Sequence, residues 1–558
     1  MTRPLPASQV ARLLTEIGRR TALRGGNPFR AKAYQRAAES LLALPAPLDE
    51  VIASGELQTI PGVGSAIADI IEKLSTTGTH PALERMRRET PEGLMDIMAL
   101  PGMRPERAAK LYEKLGVASI ADLEKAAKEG KLAKTKGFGP AFERKVLQGL
   151  DIVRAGAGAR HMHRAAALLE AASDHIRRRH PDIQEVHIAG DLRRGCELIR
   201  DLALVATFKH IEGDPYVRKS GDIAVHYTDA ARGGAALLFA TGSKAHLSAL
   251  KKLANGKNMQ LSSSGLFKNG KCIAAESERA IYKALGLAFI EPELREGADE
   301  IALARRKRLP KLVTQQDIRG ILHAHTDLSD GVNTLEEMAE AVRQRGYEYF
   351  GVADHSQSAH YAGGLSLEEI GIQHAAIDRL NRNYGSAFRI FKGVESDILP
   401  DGSLDYPDDI LARFDFVIAS VHGQFRKDRK EQTERILRAI RHPRTRILGH
   451  MTGRQLLRRP GYEIDIEKVL KACAQHNVAV EINANPWRLD LDWRWHQKAL
   501  EIGCTMSVNP DAHSIAEIDL TRWGVAMARK GRVPADKVLT ARSLVEIAKF
   551  FAKRGGPR

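Results

Sequence analysis

The chain has 558 residues, 43% of them hydrophobic and 28% charged, and carries a formal net charge of +16. That length exceeds a single hydrophobic core and predicts several domains, while the composition excludes a disordered or low-complexity protein. No run of 18 apolar residues occurs, and the four cysteines (Cys196, Cys272, Cys473, Cys504) lack CxxC spacing. A membrane span, a disulfide framework and a cysteine zinc site are therefore disfavoured, a reducing cytoplasmic setting is expected, and the basic charge points to nucleic acid before membrane.

In chain order, apolar residues first recur at helical spacing from Gln9 to Leu44, where NPFRAKAYQRAA sets Arg30, Lys32 and Arg36 beside Phe29 and Tyr34. Three glycine turns follow: TIPGVGSAIADII (Thr59–Ile71), ALPGMRPERAAKLYEKLG (Ala99–Gly116) and TKGFGPAFERKVL (Thr135–Leu147). Each opens an amphipathic helix whose first backbone N–H groups can face a phosphate. One such turn needs no function; three in a basic chain predict a sequence-independent grip on DNA, with Gly62, Gly64, Gly102, Arg104, Gly137 and Gly139 as the candidate contacts. Arg104 stands where a second turn glycine is expected, and its guanidinium can compensate. These turns resemble helix-hairpin-helix motifs.

A helix, RAAALLEAASDHIRRR, then leads to the expected strand VHIAG (Val186–Gly190), the stretch GDLRRGCELIRDLALVA (Gly190–Ala206) and a second expected strand, DIAVHY (Asp222–Tyr227). After ALLFATGSKAHLSALKKLA and YKALGLAFIEPELRE comes a basic connector, ARRKRLP (Ala304–Pro310). From Ile321 onward, short apolar runs such as FDFVIASV, TRILGH, VAVEINA and TMSVN alternate with helical segments, which predicts α/β structure with histidines at the run ends.

The order of hairpins, GDLRRG, Asp201, the 222–227 strand, TGS and LRE over roughly residues 1–300 resembles a family X DNA polymerase. In that family the motif is G-S-x-R-R-G followed by D-x-D and a third Asp, and three carboxylates hold two magnesium ions. Here only Asp201 aligns. Ala203 and Ala224 take the places of the other two acids, and Asp191 replaces the serine, putting negative charge where phosphate oxygens would dock. Asp222, two residues before Ala224, is expected on the same strand face but one pleat repeat away. The resemblance therefore implies a degenerate polymerase site. The lysine that forms a Schiff base in the family's lyase-active members falls at Ile70, with Lys73 one turn on.

After Ile321 the segments LHAHTDLSDG, ADHS, GVESDILPDGSLDYP, ASVHG, LGHMTGR and NPDAHS place imidazoles and carboxylates at expected strand ends. This succession resembles the polymerase and histidinol phosphatase (PHP) domain. The resemblance implies a distorted, TIM-like α/β barrel with two or three divalent metal ions at its strand C-termini. His323, His325, Glu395 and Asp511 would hold one ion, Glu395, His422 and His450 a second, and Asp330, His355 and His513 a third. Ligands without thiolate favour Mn²⁺, with Zn²⁺ or Fe²⁺ as alternatives. Ile321 replaces an Asp that commonly opens the first motif but is not a ligand. Asp330, Glu395, Asp511 and His513 are the expected catalytic groups, Asp354 and Glu481 expected orienting groups, and Arg454 a candidate phosphate clamp, for which an ordinary salt bridge is the alternative.

The expected fold is thus multi-domain: helix-hairpin-helix segments at 1–85 and 86–155, an α+β nucleotidyltransferase-like palm at 156–235, a thumb at 236–303, a linker at 304–318 and the α/β barrel at 319–558. The expected function is metal-dependent hydrolysis of DNA phosphodiesters, as a 3′–5′ exonuclease or repair nuclease on gapped, nicked or 3′-ended duplex. A monomer without DNA synthesis is expected. A small-molecule phosphatase and a non-catalytic DNA-binding scaffold are the competing expectations.

Overall fold

The computed structural model describes residues 4–42, 48–211 and 213–552. Two compact units emerge, one taking in the chain up to Ala157 together with Leu457–Arg459, the other Gly158–Leu456 and Pro460 onward.

The first unit is helical. The single helical run expected from Gln9 is two helices, Ala7–Leu23 and Pro28–Leu42, and the expected end at Leu44 lies outside the described residues. Gly25 at φ +67° ends the first helix and Pro28 starts the second, a position that suits its missing N–H. In each glycine turn the first glycine is left-handed, at φ +82° for Gly62, +75° for Gly102 and +100° for Gly137. The residue two on is the helix N-cap in extended conformation: Gly64, Arg104 and Gly139. Only the first position demands glycine, so Arg104 fits at φ −99° without strain. A Cβ added at Gly64 or Gly139 meets nothing within 4 Å, so these caps are open to an approaching ligand. Ile70, by contrast, is buried in the apolar core with Ile71 and Leu74.

The second unit begins with a four-stranded sheet in the order Ile183–Ile188, Leu202–Phe208, Ile223–Asp229, Tyr216–Ser220, packed against helix Met162–Arg179. Three expected boundaries are corrected. Gly190–Arg193 is a helical turn, Asp201 precedes its strand, and Asp222 lies in the turn before Ile223, so it does not share the face of Ala224. Helices Gly233–Thr241 and Lys244–Asn255, three short antiparallel strands and helix Glu278–Ala284 follow. Ser243 of TGS caps the second of these helices by accepting from the His246 N–H at 3.1 Å. Leu312 and Val313 are buried after the connector, with Val313 N–H donating to the Val533 carbonyl.

The remainder is a parallel barrel of seven strands in sequential order: Gly320–Ile321, Tyr349–Val352, Arg389–Asp397, Phe416–Ser420, Thr445–Leu448, Ala479–Asn483 and Met506–Asn509. The strands are buried on both faces, which explains why they read as continuous apolar runs instead of alternating ones. A rung beyond the last strand joins it to the first: His325 N–H donates to the Ala512 carbonyl (2.8 Å) and Ala512 N–H to the His323 carbonyl (3.3 Å).

Candidate metal centre

Every expected ligand stands at the C-terminal end of a barrel strand. His323, His325 and Asp330 follow the first strand, His355 the second, His422 the fourth, His450 the fifth, and Asp511 and His513 the seventh, while Glu395 is within the third. Asp511 reaches the centre from a left-handed backbone at φ +54°, a conformation Asp tolerates better than most residues.

Glu395 is the hub. It is 1% exposed and, among the described residues, neither of its oxygens accepts a hydrogen bond. Its Oε1 faces Nε2 of His450, His422 and His323 at 3.0, 3.3 and 3.4 Å, and its Oε2 faces His355 Nδ1 at 3.1 Å and His325 Nε2 at 3.7 Å. Asp511 Oδ1 stands 3.2 Å from His325 and 3.4 Å from His323. Asp330 Oδ1 stands 3.3 Å from His513, 3.5 Å from His355 and 3.8 Å from His325. Two donors bonded at about 2.1 Å to one ion, at angles between octahedral and tetrahedral, lie about 3.0–3.4 Å apart. The donor set and its spacings therefore fit divalent ions. Three groupings are close enough to share one: His323, His325 and Asp511; His355, Glu395 and His422; and His325, Asp330, His355 and His513. His355 thus faces Glu395 as well as Asp330, a dual position that strand-end spacing does not reveal.

Interleaved opposite charges keep the acids ionised. Burial works against a charged Glu395, but His422, His323 and His355 hold its pKa well below the usual range, and Asp511 is held down similarly by His323 and His325. Burial also acts to lower the His422 pKa, yet Glu395 and Asp397 outweigh it and push it up to about 10. His325, buried beside His355, is pulled down to about 3 and is neutral, ready to coordinate.

The orienting groups are buried acids and amides. Glu481 Oε1 pairs with His323 Nδ1 at 2.6 Å and its Oε2 accepts from the His450 N–H at 2.7 Å. Asn509 and Asn483 donate to Glu481, and Asn483 also to Asp511 at 3.0 Å. Asp397 receives His422 Nδ1. The Asp354 carboxylate holds the loop bearing Asp330 through the Thr326 N–H and hydroxyl, both at 2.7 Å, while its backbone carbonyl accepts from the Glu395 N–H at 3.1 Å. Asp397, Asn483 and Asn509 escaped sequence reasoning, although E-x-D at 395–397 and the amides beside VAVEINA and NPDAHS were visible signals.

The geometry corrects the expected phosphate clamp at Arg454. Its guanidinium donates to Glu197 (2.9 Å), Asp492 (2.8 Å) and the carbonyls of Arg488 and Leu489, the salt-bridge alternative.

In the palm, Ala203 and Ala224 are direct cross-strand partners, and Ala203 is 1% exposed in an apolar cluster with Ala189, Val205, Ala236 and Ala240. Asp201 has an upward-shifted pKa, from burial and then the negative charge of Asp191. Asp191 is not a bare charge: it pairs with Arg194 and accepts from the N–H groups of Arg200 and Asp201, each at 2.8 Å. Arg193 is bidentate on Glu278 at 2.7 and 2.8 Å, Arg295 joins the same carboxylate, and Asp222 is paired with Arg160. Both arginines of GDLRRG are thus engaged within the fold.

A chain that joins glycine-turn helices to a palm, a thumb and a histidine-lined parallel barrel defines a DNA-handling enzyme with a metal-binding domain. Family models match as a helix-hairpin-helix domain (residues 6–80), a SAM-like helix-hairpin-helix tandem (94–151), a DNA polymerase beta thumb (236–296) and a PHP domain (322–485). The chain is 34% identical to the DNA polymerase/3′-5′ exonuclease PolX of Bacillus subtilis, over 98% of this chain and 99% of that protein. Over 42% of its length the chain is similar to two probable phosphatases, 30% identical to one from Photobacterium profundum and 31% to one from Vibrio parahaemolyticus, covering 93% and 94% of those proteins. The protein belongs to the bacterial family X DNA polymerases that carry a C-terminal PHP domain. Among the described residues, no helix is long and apolar enough to cross a membrane.

Proposed function

We propose that this protein grips DNA through its helix-hairpin-helix segments and hydrolyses phosphodiester bonds at the barrel, as a 3′–5′ exonuclease or gap-processing repair nuclease that makes no DNA. The contrast between the two sites carries this assignment: Glu395 stands buried among five imidazoles, whereas the two lost acids of the palm are a packed pair of alanines. His323, His325, Glu395 and Asp511 would hold one divalent ion, Glu395, His422 and His450 a second, and Asp330, His355 and His513 a third, and the all-N/O donor set would favour Mn²⁺. When bound, such ions supply charge neutralisation at phosphorus and lower the pKa of a water at neutral pH. The chain's own residues set the stage. Glu481 fixes the ring of His323 and Asp397 that of His422. The open caps at Gly64 and Gly139 let phosphate oxygens reach helix N-termini. The substrate is gapped, nicked or 3′-ended duplex, handled by a monomer.

The test is an end-labelled gapped duplex incubated with the Mn²⁺-loaded protein, beside primer extension with dNTPs. Stepwise 3′ shortening without extension is expected; extension without shortening refutes the proposal. The similarity to probable phosphatases favours a second assignment, a small-molecule phosphatase. It predicts turnover of histidinol phosphate with no cleavage of the duplex.

A further inference from the structure

We propose that Arg488 binds the phosphate at the barrel site, and that Glu197 of the palm acts through Arg454 to hold it there. The inference rests on the phosphoester chemistry proposed above and assigns the retained palm frame a use in hydrolysis.

Arg488 lies in the loop that follows the sixth barrel strand. That loop folds back on the strand end: Asn483 N–H donates to the Asp490 carbonyl (2.6 Å) and Leu491 N–H to that of Glu481 (3.1 Å). Arg488 Nε stands 3.8 Å from Asp511 Oδ2, beyond hydrogen-bond distance, and its side chain is 19% exposed. No hydrogen bond from its guanidinium is found among the described residues. The other oxygen of Asp511 faces His323 and His325, so Arg488 stands one carboxylate away from the ion-binding side. A guanidinium presents five N–H donors in a planar fork matched to phosphate. Paired only loosely with Asp511 and with no donor hydrogen-bonded among the described residues, the fork is free to take an anion.

The loop is held from outside the barrel. Arg454 Nε donates to the Arg488 carbonyl at 3.1 Å, its other nitrogens reach the Leu489 carbonyl and Asp492, and Glu197 Oε2 accepts from it at 2.9 Å. Glu197 Oε1 accepts from Arg494 at 2.9 Å, and Arg494 also pairs with Asp492. Glu197 is 15% exposed and sits in the GDLRRGCE stretch of the palm. It therefore ties both ends of the 488–494 segment to a domain whose metal-binding acids at 203 and 224 are gone. Glu197 and Arg454 are positioning residues; Arg488 is the group that touches the ligand.

The experiment measures inorganic phosphate binding by calorimetry on the full-length, Mn²⁺-loaded protein, with metal content, for Arg488→Ala, Arg488→Lys, Glu197→Gln and Glu197→Gln/Arg488→Ala. Arg488→Ala is expected to weaken phosphate by about tenfold or more with metal content unchanged, as for loss of a charged hydrogen-bonding partner. Lysine restores part of it, lacking the fork. Glu197→Gln weakens phosphate severalfold in the parent but adds nothing to Arg488→Ala, because both act through one group. Unchanged phosphate affinity in both Arg488 variants overturns the inference, as does loss of metal in step with loss of phosphate, which would make Arg488 a support for Asp511. Additive effects of Glu197→Gln and Arg488→Ala overturn the palm linkage. Gapped-duplex cleavage is followed in parallel. Phosphate held through Arg488 by a protein that cuts no DNA refutes the nuclease assignment alone, and normal cutting by Arg488→Ala with unchanged phosphate affinity refutes this inference alone.

Discussion

Replacing Asp397 by Asn isolates what orientation contributes to the metal centre. Asp397 is two residues beyond Glu395 on the third strand and so shares its face. One oxygen receives His422 Nδ1 and the other the Ser358 hydroxyl at 3.1 Å, which leaves His422 Nε2 aimed at Glu395 Oε1, 3.3 Å away. Asparagine keeps an acceptor of the same shape and loses the charge; alanine loses both. Removing the outer partner of a ligating histidine costs about 10–100-fold in metal affinity or activity, roughly 1.4–2.7 kcal/mol. Asp397→Asn is expected near the tenfold end, and Asp397→Ala near a hundredfold, with His422 free to turn. The assay titrates Mn²⁺ into chelator-stripped protein and follows metal retained and phosphodiester turnover together. Excess Mn²⁺ should restore most of the activity of Asp397→Asn, because the ligands themselves remain. Unchanged Mn²⁺ dependence in both variants would refute the reasoning, since His422 would then be no ligand.

Four further outcomes are expected. His422, held protonated up to about pH 10 by Glu395 and Asp397, must release a proton to coordinate, so metal binding at pH 7 should liberate acid and tighten as pH rises; proton release measured in two buffers of different ionisation heat checks this. Primer extension with Mg²⁺ or Mn²⁺ should give no product, and incorporation abolished by Asp201→Ala would contradict it. Gly64→Glu and Gly139→Glu meet open space, so they should leave the thermal midpoint within a degree or two while weakening duplex binding by about fivefold or more and flattening its salt dependence. Glu278, buried but held down to about 2 by Arg193 and Arg295, contributes stability present above its unfolded pKa and lost as pH falls from about 4.5 toward 2, on the order of 3 kcal/mol; Glu278→Gln should remove that acid-dependent loss from the palm and thumb melting transition.

The clustering of the candidate ligands was legible in sequence because most of them directly follow or end a short apolar run, and a strand end fixes where its next residues point. The glycine turns were legible for a similar reason: a left-handed residue and an N-cap two positions on are local events. What escaped was long-range or a matter of one residue. Asp222 looked like a strand neighbour of Ala224, but the strand starts at Ile223 and Arg160 holds the carboxylate in the turn. Asp191 looked like exposed repulsion, yet Arg194 and two backbone N–H groups consume it. Arg454 looked like a clamp because it follows His450 closely, but its partner Glu197 is 257 positions away, and no local spacing announces that. Arg488 gave no motif at all; its place follows from a loop folded back on a strand end.

The rung joining His323 and His325 to Ala512 closes the barrel at the same residues that form the candidate metal centre. The first and last segments of the domain, nearly two hundred residues apart, must therefore meet before the centre exists. During synthesis, the His323–His325 strand end leaves the ribosome long before Asp511 and His513, at a rate of about 5–20 residues per second. For roughly ten seconds or more the nascent chain carries unpaired imidazoles and the acid of Glu395 but cannot enclose an ion between both edges. The candidate centre is thus completed only when translation is nearly finished, so a prematurely terminated chain can retain its helix-hairpin-helix segments without the full set of candidate ligands.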